Sequence, residues 1–95
     1  MILDDLYGVI LERKNAPSPD SYVSGLLSKG REEILKKIGE EAVEVIIASM
    51  AGDKRQTVSE MADLWFHCMV LMAEEGLSHD DVMKELEDRF GKKRR

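Results

Sequence analysis

The sequence predicts an all-α fold, and three observations carry that prediction. Apolar residues recur at helical spacing through four long segments. Glycines and short polar residues fall where such helices should start and stop. No pair of alternating runs is joined by an Asn-Gly or Asp-Gly turn, so no strand pair is expected. The expected architecture is four main helices plus a short one, in a helical bundle completed by homodimerisation. One domain is expected over residues 1–91, followed by a basic C-terminal tail, KKRR, at 92–95.

The first helix is expected over residues 2–14. Ile2, Leu3, Leu6, Val9 and Ile10 share a face, and Arg13 and Lys14 suit the negative end of the helix dipole. NAPSPDS, residues 15–21, ends it with two prolines. Residues 22–27 make one or two helical turns, ended near Gly25 or Gly30. The next helix starts after Gly30 and runs to about Ala51, with Ile34, Leu35, Ile38, Ala42, Val45 and Ile46 as its apolar stripe. Gly52 and Asp53 break it, and Asp53 with Gln56 has the spacing of a capping box for the following helix. That helix is apolar over most of its circumference, with Trp65 and Phe66 on the core side, which suits a central or dimer-interface position. Gly76 ends it. Ser78 then serves as N-cap, with Asp80 and Asp81 in the first turn of a last helix that carries Val82, Met83, Leu86 and Phe90 to Gly91.

Composition narrows the function classes. The chain has 95 residues, 43% of them hydrophobic and 35% charged, which is a globular balance. A chain this short buries a modest core and gains from dimerisation. The net charge of −5 and 5% aromatics argue against nucleic-acid binding. The single cysteine, Cys68, excludes an internal disulfide and a cysteine-based zinc site, and reads as a small core residue. The start, MILDDLYGVI, lacks a basic signal-peptide region, and no run is long enough to span a bilayer. The expected compartment is therefore the cytoplasm.

Acidic residues within apolar helices are the feature that needs a physical account. Positions three or four apart share a helix face, so Glu41 and Glu44 are neighbours, Glu40 adjoins Glu44, and Glu60 adjoins Asp63. Ile34 and Val45 lie only about 20–40° from Glu41 around the helix, which puts Glu41 at the border of the apolar stripe. A short turn at Gly52 and Asp53 makes the two helices antiparallel neighbours and brings both acidic pairs level. Four carboxylates, Glu41, Glu44, Glu60 and Asp63, then converge. In a partly dry place they repel unless a cation offsets them. Hard divalent ions do this, and Mg²⁺ binds through carboxylates, waters and phosphates. The competing reading is a solvated acidic face, with Lys36 and Lys37 pairing to Glu40 and Glu41. His67 reads as a core histidine or a neighbour of the ligands, and His79, just after a cap, as exposed.

The pattern Glu40-Glu41-x-x-Glu44, then Glu60-x-x-Asp63, resembles the EExxE…ExxD signature of the all-α nucleoside triphosphate pyrophosphohydrolases, the MazG-like superfamily. SYVSGLLSKG (21–30), KKIGEEAVEVIIA (36–48) and EMADLWFH (60–67) resemble the phosphoribosyl-ATP pyrophosphohydrolase family within it, and the likeness runs from about Leu6 to Arg89. The resemblance implies Mg²⁺-dependent hydrolysis of phosphoribosyl-ATP between its α- and β-phosphates, the second step of histidine biosynthesis, by a homodimer. It implies Glu41, Glu44, Glu60 and Asp63 as metal ligands, with Glu40 as a further ligand or as the group that orients and deprotonates the water. Substrate phosphates call for cations, and Lys37, then Lys29 and Arg31, are the candidates. Ser21 and Tyr22 match the family segment, where capping and packing are one account of them. Many relatives carry a fused cyclohydrolase domain, for which 95 residues leave no room. Two other functions remain to be separated from this one: a pyrophosphohydrolase for ordinary or damaged nucleoside triphosphates, and a non-catalytic helical dimerisation module.

Overall fold

The computed structural model describes residues 1–91, and the basic tail expected at 92–95 lies outside them. Among the described residues there are five helices and no strand: α1 (Ile2–Asn15), α2 (Tyr22–Lys29), α3 (Arg31–Met50), α4 (Lys54–Glu75) and α5 (His79–Phe90). The short α2 runs through Gly25 and ends at Gly30. None of these helices is long and apolar enough to cross a membrane.

Local hydrogen bonds set the boundaries. Ser21 caps α2, its hydroxyl accepting from the Ser24 amide at 3.1 Å. α3 and α4 both end in the same device. Gly52 and Gly76 take left-handed backbone angles (φ 75° and 74°), which glycine adopts without steric cost. The amide beyond each glycine reaches back to the helix: Asp53 N–H to Ala48 O at 3.2 Å, and Leu77 N–H to Met72 O at 2.8 Å. Asp53 therefore closes α3 with its backbone and opens α4 with its side chain, which accepts from the Gln56 amide at 2.9 Å. The reciprocal half of the expected capping box does not form, because the Gln56 side chain bonds to Glu60 instead. At α5 the Asp81 carboxylate accepts from the Ser78 amide at 2.9 Å.

With so short a link, α3 and α4 form an antiparallel hairpin and the most extensive helix–helix contact among the described residues. α1 and α2 cover one flank. Ile10, Val23, Leu26, Ile34, Met69, Val70 and Ala73 make the core, with Leu6, Ile38 and Phe66 packed at its edge. The Lys14 ammonium donates to Ala73 O at 2.7 Å and the Tyr7 hydroxyl donates to Leu77 O, fastening α1 to the end of α4.

Expectations about burial are corrected at His79, Trp65, Leu35 and Ile46. His79 is buried, not exposed: its Nε2–H donates to Asp4 at 2.6 Å and its ring lies 5.5 Å from that of Tyr7, because α5 folds back onto α1. Trp65 is not on the core side and is 60% exposed. It lines an apolar groove with Met72, Val82, Met83 and Leu86, while Val43, Ile46, Ile47 and Met50 on α3 and Val58 and Met61 on α4 are also exposed. Leu35, expected in the buried stripe, is also exposed.

Candidate active site

The hairpin brings three of the sequence-selected acids together. Glu41 from α3 meets Glu60 and Asp63 from α4, each offering a carboxylate oxygen within 4.8 Å of the others. The register of the turn produces this. Glu60 and Asp63 share a face one helical turn apart, and α3 returns past that face at Glu41. Glu41 and Glu60 are half-buried, whereas Asp63 is exposed. The Gln56 amide donates to Glu60 Oε2 at 2.7 Å and fixes that carboxylate. Burial pushes the Glu41 carboxyl above the usual carboxylate range and Asp63 pushes the same way; His67 pulls against them, and Glu60 adds a smaller push and Lys37 a smaller pull. The site thus carries the repulsion anticipated for close-set acids.

The other selected residues are placed less centrally. Glu44 is exposed, one turn along α3 from Glu41, and is not part of the three-carboxylate group. Glu40 is exposed and pairs with Lys37 at 3.4 Å. Lys37 and Lys29 line one cleft between α2 and α3 together with Tyr22, Gly25, Leu26 and Glu33. Arg31 is directed elsewhere, to Glu75 at the end of α4 at 3.3 Å. Three neighbours were not selected as site residues in the sequence, although Gln56 was read as a capping residue and His67 as a core histidine or a neighbour of the ligands, which its burial bears out. Gln56 lies one turn before Glu60, a spacing that could have identified it. His67 is buried beneath Asp63, its Nδ1 2.7 Å from the Asp63 carbonyl, and its Nε2 is 2.8 Å from the Tyr22 hydroxyl. The Tyr22 contact joins residues far apart in the chain and has no local signature.

The donor set suits a hard divalent cation. It consists of carboxylate oxygens, one of them held by a side-chain amide, without sulfur or imidazole in the group. A cation there would relieve the strain expressed at Glu41.

Comparison with known proteins agrees with this geometry over nearly the whole chain. The profile of the family described as phosphoribosyl-ATP pyrophosphohydrolase matches residues 3–90. A protein of Bacillus cereus (strain B4264) named phosphoribosyl-ATP pyrophosphatase is 53% identical over 87 residues, which is 92% of this chain and 81% of the relative. A protein of the same name from Methylococcus capsulatus is 55% identical over 83 residues, 86% of this chain and 79% of its own. One from Bacillus mycoides is 52% identical over 91 residues, covering 96% and 85%. A match of this extent, with the acidic hairpin in place, makes the chain a member of the phosphoribosyl-ATP pyrophosphohydrolase family.

Proposed function

We propose that this chain hydrolyses phosphoribosyl-ATP between the α- and β-phosphates, giving phosphoribosyl-AMP and pyrophosphate, as a cytoplasmic enzyme of histidine biosynthesis. The observation that carries the reading is the convergence of Glu41, Glu60 and Asp63 in a chain so similar to proteins named for that activity. These three would hold Mg²⁺, with Glu44 one turn along α3 as the fourth carboxylate. The ion, when bound, neutralises phosphate charge and makes a bound water more acidic.

The chain's own groups supply the rest. Gln56 holds Glu60 in place. Glu40, outside the three-carboxylate group, orients the attacking water and accepts its proton, which a carboxylate at hydrogen-bond reach can do. Water adds to one phosphorus, the anhydride bond breaks, and pyrophosphate leaves with the bridging oxygen or the β-phosphate takes the water; the products are the same. Lys37, close enough to influence Glu41, meets the developing negative charge, with Lys29 across the cleft.

The direct test is pyrophosphate release from phosphoribosyl-ATP with and without Mg²⁺, beside ATP, dCTP and dUTP. Metal-dependent release from phosphoribosyl-ATP alone is the expected result. Release from the plain nucleotides instead would keep the acidic site and reassign the substrate. No release from any would leave a helical dimerisation module.

Homodimerisation belongs to the same reading. On α3, Val43, Ile46, Ile47 and Met50 are exposed at i, i+3, i+4 and i+7, and on α4 Val58, Met61 and Trp65 are exposed at i, i+3 and i+7. Apolar helix stripes of this kind are covered in stable proteins. Ile47→Asp is expected to convert a dimer to a monomer by sedimentation; an unchanged mass would place the interface elsewhere.

A further inference from the structure

The cleft between α2 and α3 holds groups that the reacting phosphates do not account for. It encloses about 240 Å³ and is lined by Tyr22, Lys29, Glu33 and Lys37 together with Gly25 and Leu26. Sites that hold a whole small ligand run to roughly 300–1,000 Å³, so this one suits a single moiety of a larger molecule.

Both walls of the cleft are fixed relative to the acidic hairpin. The Asp63 carbonyl can only accept, so His67 Nδ1, 2.7 Å away, carries a hydrogen. The Tyr22 hydroxyl then donates to the bare Nε2 at 2.8 Å. His67 is buried, and the Tyr22 ring stacks on that of Phe66 with centroids 6.2 Å apart. The α2 wall is thereby tied to the turn of α4 that carries Asp63. The α3 wall leads to the same place, because Glu33, Lys37 and Glu41 follow at four-residue intervals, about 12 Å from first to last.

The two lysines differ. Lys37 pairs with Glu40 at 3.4 Å and stands one turn from Glu41, at the end nearer the acids. Lys29 is the last residue of α2, beside the start of α3. It is exposed, and among the described residues no carboxylate pairs with it. Glu33 is half-buried and gives the cleft one anionic acceptor. A stretch of polyphosphate gains nothing from that carboxylate. A phosphorylated sugar does: a cation takes its phosphate, a carboxylate accepts from its hydroxyls, and an aromatic ring packs on the sugar.

We propose that the α2–α3 cleft is the subsite for the second, phosphorylated ribose of phosphoribosyl-ATP, with Lys29 on its phosphate and Glu33 on its hydroxyls. The proposal rests on the pyrophosphohydrolase reading above and assigns substrate choice to this cleft. The adenosine part of the substrate crosses the interval from Glu41. Plain ATP has no second ribose and leaves Lys29 and Glu33 without partners.

The test is competition against pyrophosphate release from phosphoribosyl-ATP at saturating Mg²⁺, with folding checked by circular dichroism. The inhibitors are phosphoribosyl-AMP and AMP, which differ by the second ribose phosphate alone. Wild type should bind phosphoribosyl-AMP more tightly. Lys29→Met should weaken that binding about tenfold and raise KM for phosphoribosyl-ATP by a similar factor, as loss of one charge-assisted contact does, with AMP inhibition unchanged. Glu33→Gln should weaken phosphoribosyl-AMP by less and also spare AMP. Lys36→Met, at an exposed lysine outside the cleft, should change neither. Equal inhibition by the two nucleotides in wild type, or a preference that survives Lys29→Met, would overturn the subsite and leave the reaction in place. Wild-type protein inert toward phosphoribosyl-ATP would overturn the reaction itself, and the subsite with it.

Discussion

Among the described residues, two places gather three metal-competent side chains within 4.8 Å, and they handle charge in opposite ways. Where α5 meets α1, Asp4 and Asp80 flank His79. His79 donates to Asp4 at 2.6 Å, and the Met1 amine stands 3.5 Å from the same carboxylate. The His79 hydrogen bond leads the influences that hold the Asp4 carboxyl below the usual range. On the hairpin, Glu41, Glu60 and Asp63 have no cation among them, and Glu41 is held above the usual range. One cluster pairs its Asp4 carboxylate with a histidine and with the Met1 amine and acts as a clasp between two helices, with His79 Nδ1 buried and without a hydrogen bond. The other is frustrated, and that frustration is what a bound cation would relieve. Acid count does not separate them; the direction of the pKa shift does.

The largest effect that tests this contrast is catalytic. Loss of a group that merely supports a metal ligand costs up to about 100-fold in activity or metal affinity, so Glu41→Gln and Asp63→Asn should each cost at least about that. Asp4→Asn should leave turnover unchanged. Pyrophosphate release beside circular dichroism checks both, and an active Glu41→Gln enzyme would make the hairpin cluster a solvated face.

Stability should move in opposite directions. Without divalent ions, Glu41→Gln removes repulsion; screening at a half-exposed site keeps the relief near 0.5 kcal/mol, a rise of about 2–4 °C in Tm. Adding Mg²⁺ should reverse the order, because the wild type gains from binding and the variant loses a ligand. Asp4→Asn should lower Tm with and without Mg²⁺ alike. Thermal melts in chelator and in Mg²⁺ read all four values, and a Mg²⁺-independent offset for Glu41→Gln would end the comparison.

The hairpin site was legible in the sequence because its causes are local. Asp53, Gly52 and Gly76 set helix ends through hydrogen bonds a few residues long, and one short turn then fixes which acids face each other. The clasp was not legible. His79 follows a cap and looks solvent-bound until α5 is seen to fold back on Asp4. Arg31 looked like a phosphate ligand beside Gly30, but the end of α4 brings Glu75 to it. Trp65 and Ile46 read as core from their apolar character, yet their faces lie outside the hairpin, where periodicity cannot say which surface covers them. Contacts between residues far apart in sequence separate the two cases.

Acid titration gives the smallest and most selective test. The Glu41 carboxyl sits above its ordinary value of 4.5, so the folded protein binds that proton more tightly than the unfolded chain. Its cost to stability is therefore full above the folded value and fades as pH falls toward 4.5. The Asp4 carboxyl sits below its ordinary value of 3.8, so its contribution is present above 3.8 and is lost only as pH falls further, through the folded value. In metal-free buffer the Tm gap between wild type and Glu41→Gln should close first on acidification, while the gap to Asp4→Asn persists. Gaps that close together would mean that the two clusters differ in location but not in electrostatics, and the hairpin would lose its claim to be the frustrated one.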